Sequence, residues 1–182
     1  RSLRMHVEQT KRIAGVGMLS ALSVLLLAAG SFVTVNTLFL TALAAYLVGY
    51  AIFRYGLPAG LMQCVICTLL DAFLNPDKFN FFVYLGFGIY IIFSEFVFQK
   101  ANKIKDPKKK MRRQLIYNWI LFNIIYIPTV LFFENILIRE AAFNGSTQKW
   151  ILLVIGQVGW WIYDKAYREF FRFLRERKLL KK

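Results

Sequence analysis

The chain alternates long apolar blocks with short polar stretches. Six blocks stand out: Ile13–Val33, Val35–Phe53, Leu57–Leu74, Phe79–Phe98, Leu115–Phe133 and Trp150–Tyr163. Most approach the roughly 20 residues that a helix needs to cross about 30 Å of hydrocarbon. They are continuously apolar and lack the two-residue alternation of a membrane β-barrel. The pattern therefore predicts an all-α polytopic membrane protein, with six transmembrane helices in one domain over residues 1–182. A basic loop, 99–114, separates the fourth and fifth blocks, and a basic tail, 164–182, continues the sixth as an amphipathic helix. The first block follows a basic leader, as a signal peptide would. It is longer than a signal core and has no convincing cleavage site, so it reads as a retained span. No internal repeat is evident, which argues against an inverted-repeat transporter.

Composition agrees. The chain is 58% hydrophobic and carries a net charge of +14, against roughly 45–50% apolar residues in a soluble domain. In a soluble protein such a charge would suggest nucleic acid. Here the cations avoid the apolar blocks, and no RNA-recognition motif occurs, so no nucleic-acid partner is expected. With the N-terminus inside, 21 Lys and Arg fall on the inner side and only Lys78, Arg139 and Lys149 on the outer side. Eight of the 21 lie between Lys100 and Arg113. That asymmetry predicts both termini in the cytoplasm of a cell, most simply a bacterial plasma membrane, with anionic lipids against the inner face. In the tail, Tyr163, Tyr167, Phe170, Phe171 and Leu174 share one helical face and Arg168, Arg172 and Arg175 another. Such a helix suits the membrane surface or a partner helix.

Nothing in the chain predicts an enzyme. His6 lies in the basic leader, and HExxH, GxSxG, P-loop and dinucleotide motifs are absent from the sequence. Cys64 and Cys67 have CxxC spacing but lie within a span, where they read as small packing residues. No cofactor or metal is expected. Ionisable groups inside spans are costly and so informative, at about 2.5–3.5 kcal/mol or more near mid-membrane. Glu95 is close enough to the inner end of its span to snorkel or pair with Lys100. Asp71 belongs to a polar corner, "DAFLNPDKFN", with Asn75, Asp77, Lys78 and Asn80, and Pro76 ends the helix there. That corner is either a capped turn or the rim of an outward-facing pocket. Asn36 in the first outer loop, Tyr84 on the fourth span, Tyr126 on the fifth, and Trp150 and Gln157 on the sixth complete a candidate substrate-binding set. The outer aromatics also fit an interfacial belt. Asn123 and Gln157 also fit helix-to-helix hydrogen bonding. The outer segment 134–149 is a candidate lid.

Small residues four apart let helices approach closely in lipid. Gly17 and Ala21 have that spacing on the first span, and Ala45 and Gly49 on the second. With about 180 residues, six blocks, inner termini and a basic leader running into "RIAGVGMLSALSVLLL", the chain resembles a substrate-binding (S) component of an energy-coupling factor (ECF) vitamin transporter. In that family a small-xxx-small pair on the first helix, typically two alanines, docks on a membrane coupling protein. Gly17 and Ala21 match the spacing, with Gly in place of the first Ala. The resemblance implies capture of a vitamin-like molecule from outside, toppling in the membrane, and drive from two separate ATPase subunits. The aromatic, sparsely charged outer set favours a bulky neutral ligand such as cobalamin or a modified nucleobase.

Two other classes fit the six-block layout. A structural membrane protein of cell-envelope assembly, of the rod-shape type, needs lateral contact surfaces and no outer pocket. A small lipid-handling protein needs acidic or histidine groups on a lipid-accessible groove.

Overall fold

The computed structural model describes residues 2–32, 37–74, 78–102, 106–132 and 148–180. All described elements are helices: α1 (Ser2–Phe32), α2 (Thr37–Tyr55), α3 (Leu57–Leu74), α4 (Lys78–Ala101), α5 (Pro107–Phe132) and α6 (Gln148–Leu180). Five of them, α1 to α5, are long and apolar enough to cross a membrane. This is consistent with a multi-pass membrane protein. The sixth is one continuous helix, as the tail predicts, but its apolar run gives way to Asp164 and Lys165 and then to a string of arginines. It therefore does not match the other five as a span.

The chain forms two compact units, Arg1–Asn118 and Trp119–Lys182. In the first, α1 packs on α2 and α3, α2 packs on α3 and α4, and α3 packs on α4. Only one residue joins α2 to α3. Gly56 has φ of 92°, a left-handed conformation that favours glycine. Its N–H donates to the Ile52 carbonyl at 2.9 Å, and its own carbonyl accepts from Ala59 at 3.0 Å. One residue thus closes one helix and opens the next, which makes the pair antiparallel.

The interior of this unit mixes large apolar side chains such as Leu27, Val48 and Ile91 with many small and polar ones, including Ser20, Ser23, Ala44, Ala45, Ala51, Ala59, Cys64 and Cys67. Large apolar residues such as Leu25, Phe39, Val65 and Phe73 point outward. That arrangement suits lipid, where close van der Waals packing holds helices together because burial from water contributes little. The Gly60 hydrogen faces α2 so closely that a Cβ there would lie 2.1 Å from Ile52 Cγ1 and 3.2 Å from the Val48 carbonyl. At Gly88 on α4, a Cβ would meet Cys64 Sγ at 2.4 Å. Both cysteines are free and buried, so they serve as packing residues here.

Helices extend beyond the apolar blocks. The segment 99–114 is largely helical, because α5 begins at Pro107, well before the apolar run. Asp106 Oδ1 accepts from the Lys108 N–H at 2.9 Å and from the Lys109 N–H at 3.5 Å. Asp at the cap with Pro at the first helical position is a strong start signal that the charge run obscured. Glu95 is buried, and the Lys100 ammonium lies over the Phe96 ring at 4.4 Å.

The second unit pairs the C-terminal part of α5 with α6. A Cβ at Gly156 would collide with the Tyr126 ring, so the two helices touch there. Pro128 lies within α5, and the Thr129 hydroxyl donates back to the Ile125 carbonyl at 2.7 Å. Such local bonds let apolar helices tolerate proline. Farther along α6, the buried Asp164 pairs with Arg168 at 2.8 Å, and Tyr167 stacks at an angle on Phe171.

Candidate functional site

On α3, Gln63, Cys67 and Asp71 are four residues apart, so they form one stripe rising about 6 Å per step. All three are buried. Facing them across the first unit are Ser20 and Ser23 of α1, Thr41 of α2, and Asn80 and Tyr84 of α4, also buried. The result is a polar seam enclosed by four helices whose outer faces are apolar.

Specific bonds order the seam. The Gln63 amide donates to Ser23 Oγ at 3.0 Å, and Ser23 Oγ lies 3.3 Å from the Ala44 carbonyl. The Thr41 hydroxyl lies 2.8 Å from Asn80 Oδ1 and 2.8 Å from the Thr37 carbonyl. These bonds tie α1 to α3 and α2 to α4. Toward the loop end of α3, the Tyr84 hydroxyl is within electrostatic range of Cys64, Cys67 and Asp71. Its ring is completely buried. A carboxylate and a phenol therefore come within electrostatic range inside a span-length helix bundle, with the Asn80 carboxamide one helical turn before the phenol on α4. Together they can donate and accept hydrogen bonds to a polar molecule, or carry a proton.

Of the residues singled out from sequence, the structure brings Asp71, Asn80 and Tyr84 into this seam. They lie inside the bundle and not on an open rim. Lys78 opens α4. Asn36 and Asn75 lie outside the described residues, as do the Lys78 side chain and most of the candidate lid at 134–149. Tyr126, Trp150 and Gln157 belong to the second unit. There the Gln157 amide donates to Asn123 Oδ1 at 2.8 Å, and its oxygen accepts from the Trp119 indole at 3.1 Å. The Tyr126 hydroxyl donates to the Leu152 carbonyl at 2.7 Å. Both side chains are thus engaged in joining α5 to α6, while Trp150 is exposed. Gln63, Ser23 and Thr41 are seam residues that the sequence reading missed. The four-residue spacing of Gln63, Cys67 and Asp71 was the available signal.

The two small-residue pairs diverge. Ala45 and Gly49 are buried against neighbouring helices. Gly17 and Ala21 are exposed, and a Cβ added at Gly17 meets nothing within 4 Å.

The Thr41–Asn80 bond gives a direct test of the seam as helix glue. Asn80→Ala leaves the Thr41 hydroxyl without its interhelical partner. Thermal unfolding in detergent should show a loss of about 1–2 kcal/mol. Adding Thr41→Val should restore part of it. Fully additive losses would show that the two side chains are not coupled.

A scan against protein-family models finds none that matches the chain, and searches of curated proteins and of solved structures find no match either.

Proposed function

We propose that the protein is the substrate-capture subunit of an ECF-type importer, in a bacterial plasma membrane with both termini inside. It would take a small, largely neutral micronutrient at the outer ends of its helices. The observation that carries this reading is the buried seam around Asp71. An ionisable residue within a membrane-spanning helix costs several kcal/mol, and such residues usually mark a substrate or ion path. Asp71 is 3% exposed, with the buried Tyr84 within electrostatic range and Asn80 close in sequence at the start of α4. The outward-facing Gly17 and Ala21 add a second support. They leave a shallow place on α1 where a coupling-protein helix can approach, and ATPases would act through that partner.

A second reading is favoured by one specific observation. The Gln63–Ser23 and Thr41–Asn80 bonds consume polar groups in joining helices. That is what a structural membrane protein of the cell envelope requires.

Mass spectrometry of small molecules released from gently purified protein separates the two. Capture predicts one stoichiometric polar ligand that disappears in Asp71→Ala. A ligand-free preparation that still folds, in cells supplied with micronutrients, would favour the scaffold.

A further inference from the structure

Near its N-terminal end, in the first unit, α5 carries a groove of about 330 Å³ lined by Lys109, Arg112, Arg113, Ile116 and Tyr117. The spacing places all five side chains on one helix face. Their order is chemical as well as spatial. Three cations come first, and Ile116 and Tyr117 follow where the chain enters its apolar run at Leu115.

Two neighbouring charged residues, Asp106 and Lys110, are already used elsewhere. Asp106 caps the helix through the backbone of Lys108 and Lys109. Lys110 bonds to Asn102 and lies over the Phe98 ring at 4.5 Å. Among the described residues, Lys109, Arg112 and Arg113 have no carboxylate within ion-pair distance. The Arg113 guanidinium lies 5.6 Å from the Tyr117 ring centroid. That contact holds the guanidinium in place while its N–H edge stays free for an anion.

We propose that this groove is a binding site for an anionic phospholipid whose headgroup carries two phosphates. A headgroup with one phosphodiester brings a single negative charge to three clustered cations. Two phosphates match that charge better, and each arginine can hold a phosphate through two parallel N–H bonds. Ile116 and Tyr117 then meet the start of the acyl chains. Basic pockets at the inner ends of membrane helices bind such headgroups on the same physical grounds. The inference rests on α5 lying in a membrane and is independent of the import reading.

The test is a titration of cardiolipin into the full-length protein in detergent, followed by native mass spectrometry. Phosphatidylglycerol, phosphatidylcholine and inorganic pyrophosphate serve as comparison ligands. Cardiolipin should bind more tightly than all three. Arg112→Gln with Arg113→Gln should weaken it about 30-fold, from roughly fivefold per cation near a membrane surface. The unfolding midpoint without lipid should stay unchanged, because both residues are exposed. Arg172→Gln with Arg177→Gln removes equal charge from α6 and should leave cardiolipin affinity intact. Equal weakening by both pairs would reduce the groove to bulk charge and overturn the proposal. So would pyrophosphate binding as tightly as the lipid, or an unchanged affinity in the Arg112/Arg113 variant.

Discussion

Asp71→Asn is expected to reduce ligand capture by about 10- to 150-fold, the loss of one charge-assisted hydrogen bond of about 1.5–3 kcal/mol. The same substitution should leave the unfolding midpoint unchanged or raise it. The reasoning starts from burial. Asp71 lies in a helix of membrane-spanning length and is 3% exposed. Holding a carboxylate there costs free energy, whereas an amide of the same shape costs less. A residue kept for packing would show the opposite pattern. Its replacement would lower the midpoint and leave capture alone. Binding of the ligand identified by mass spectrometry, measured beside thermal unfolding on the same preparation, reads both quantities. A lowered midpoint with full binding would remove Asp71 from the site and leave the seam as helix glue.

Much of the scaffold was legible because apolar block length is a direct readout of bilayer thickness. The Leu57–Leu74 boundaries are the same in sequence and structure, since Gly56 and the Asn75-Pro76 pair punctuate the chain there. The start of α5 precedes the apolar block at Leu115, in a run of cations that resembles a solvated loop. The Asp106-Pro107 capping signal nevertheless stood in the sequence. The sixth helix continues from its apolar block into the charged tail, as the sequence predicts, and it does not match the other five as a span.

The seam was only partly legible for a different reason. A helix that is apolar all round gives no periodic signal for which face turns inward. The polar positions Gln63, Cys67 and Asp71 carry that signal on α3. The pairings Gln63–Ser23 and Thr41–Asn80 depend on how the helices are rotated and offset against one another, which no single-helix pattern encodes. The polar outer corner fitted either a capped turn or the rim of an outward-facing pocket. The structure instead shows Asp71, Asn80 and Tyr84 facing inward, where the cost of burial sets their orientation.

The structure gives Gly17 and Gly60 opposite environments. Gly60→Leu should prevent the α2–α3 pair from closing. Its new Cβ would lie 2.1 Å from Ile52 Cγ1 and 3.2 Å from a backbone carbonyl that is held within its own helix. Overpacking of this kind costs about 1–3 kcal/mol where side chains can shift. A fixed carbonyl raises that cost, and the roughly 1 kcal/mol gained by removing a helical glycine does not offset it. The expected result is loss of monodisperse protein after detergent extraction. Gly17→Leu adds a side chain where nothing lies within 4 Å, so the unfolding midpoint should change by no more than about 0.5 kcal/mol equivalent. If α1 docks a coupling protein through Gly17 and Ala21, that leucine separates the two helix backbones, and co-purification should vanish while ligand binding persists. An intact pull-down would move the dock off this face of α1. An unfolded Gly17→Leu protein would mean that the face is already occupied within the native assembly.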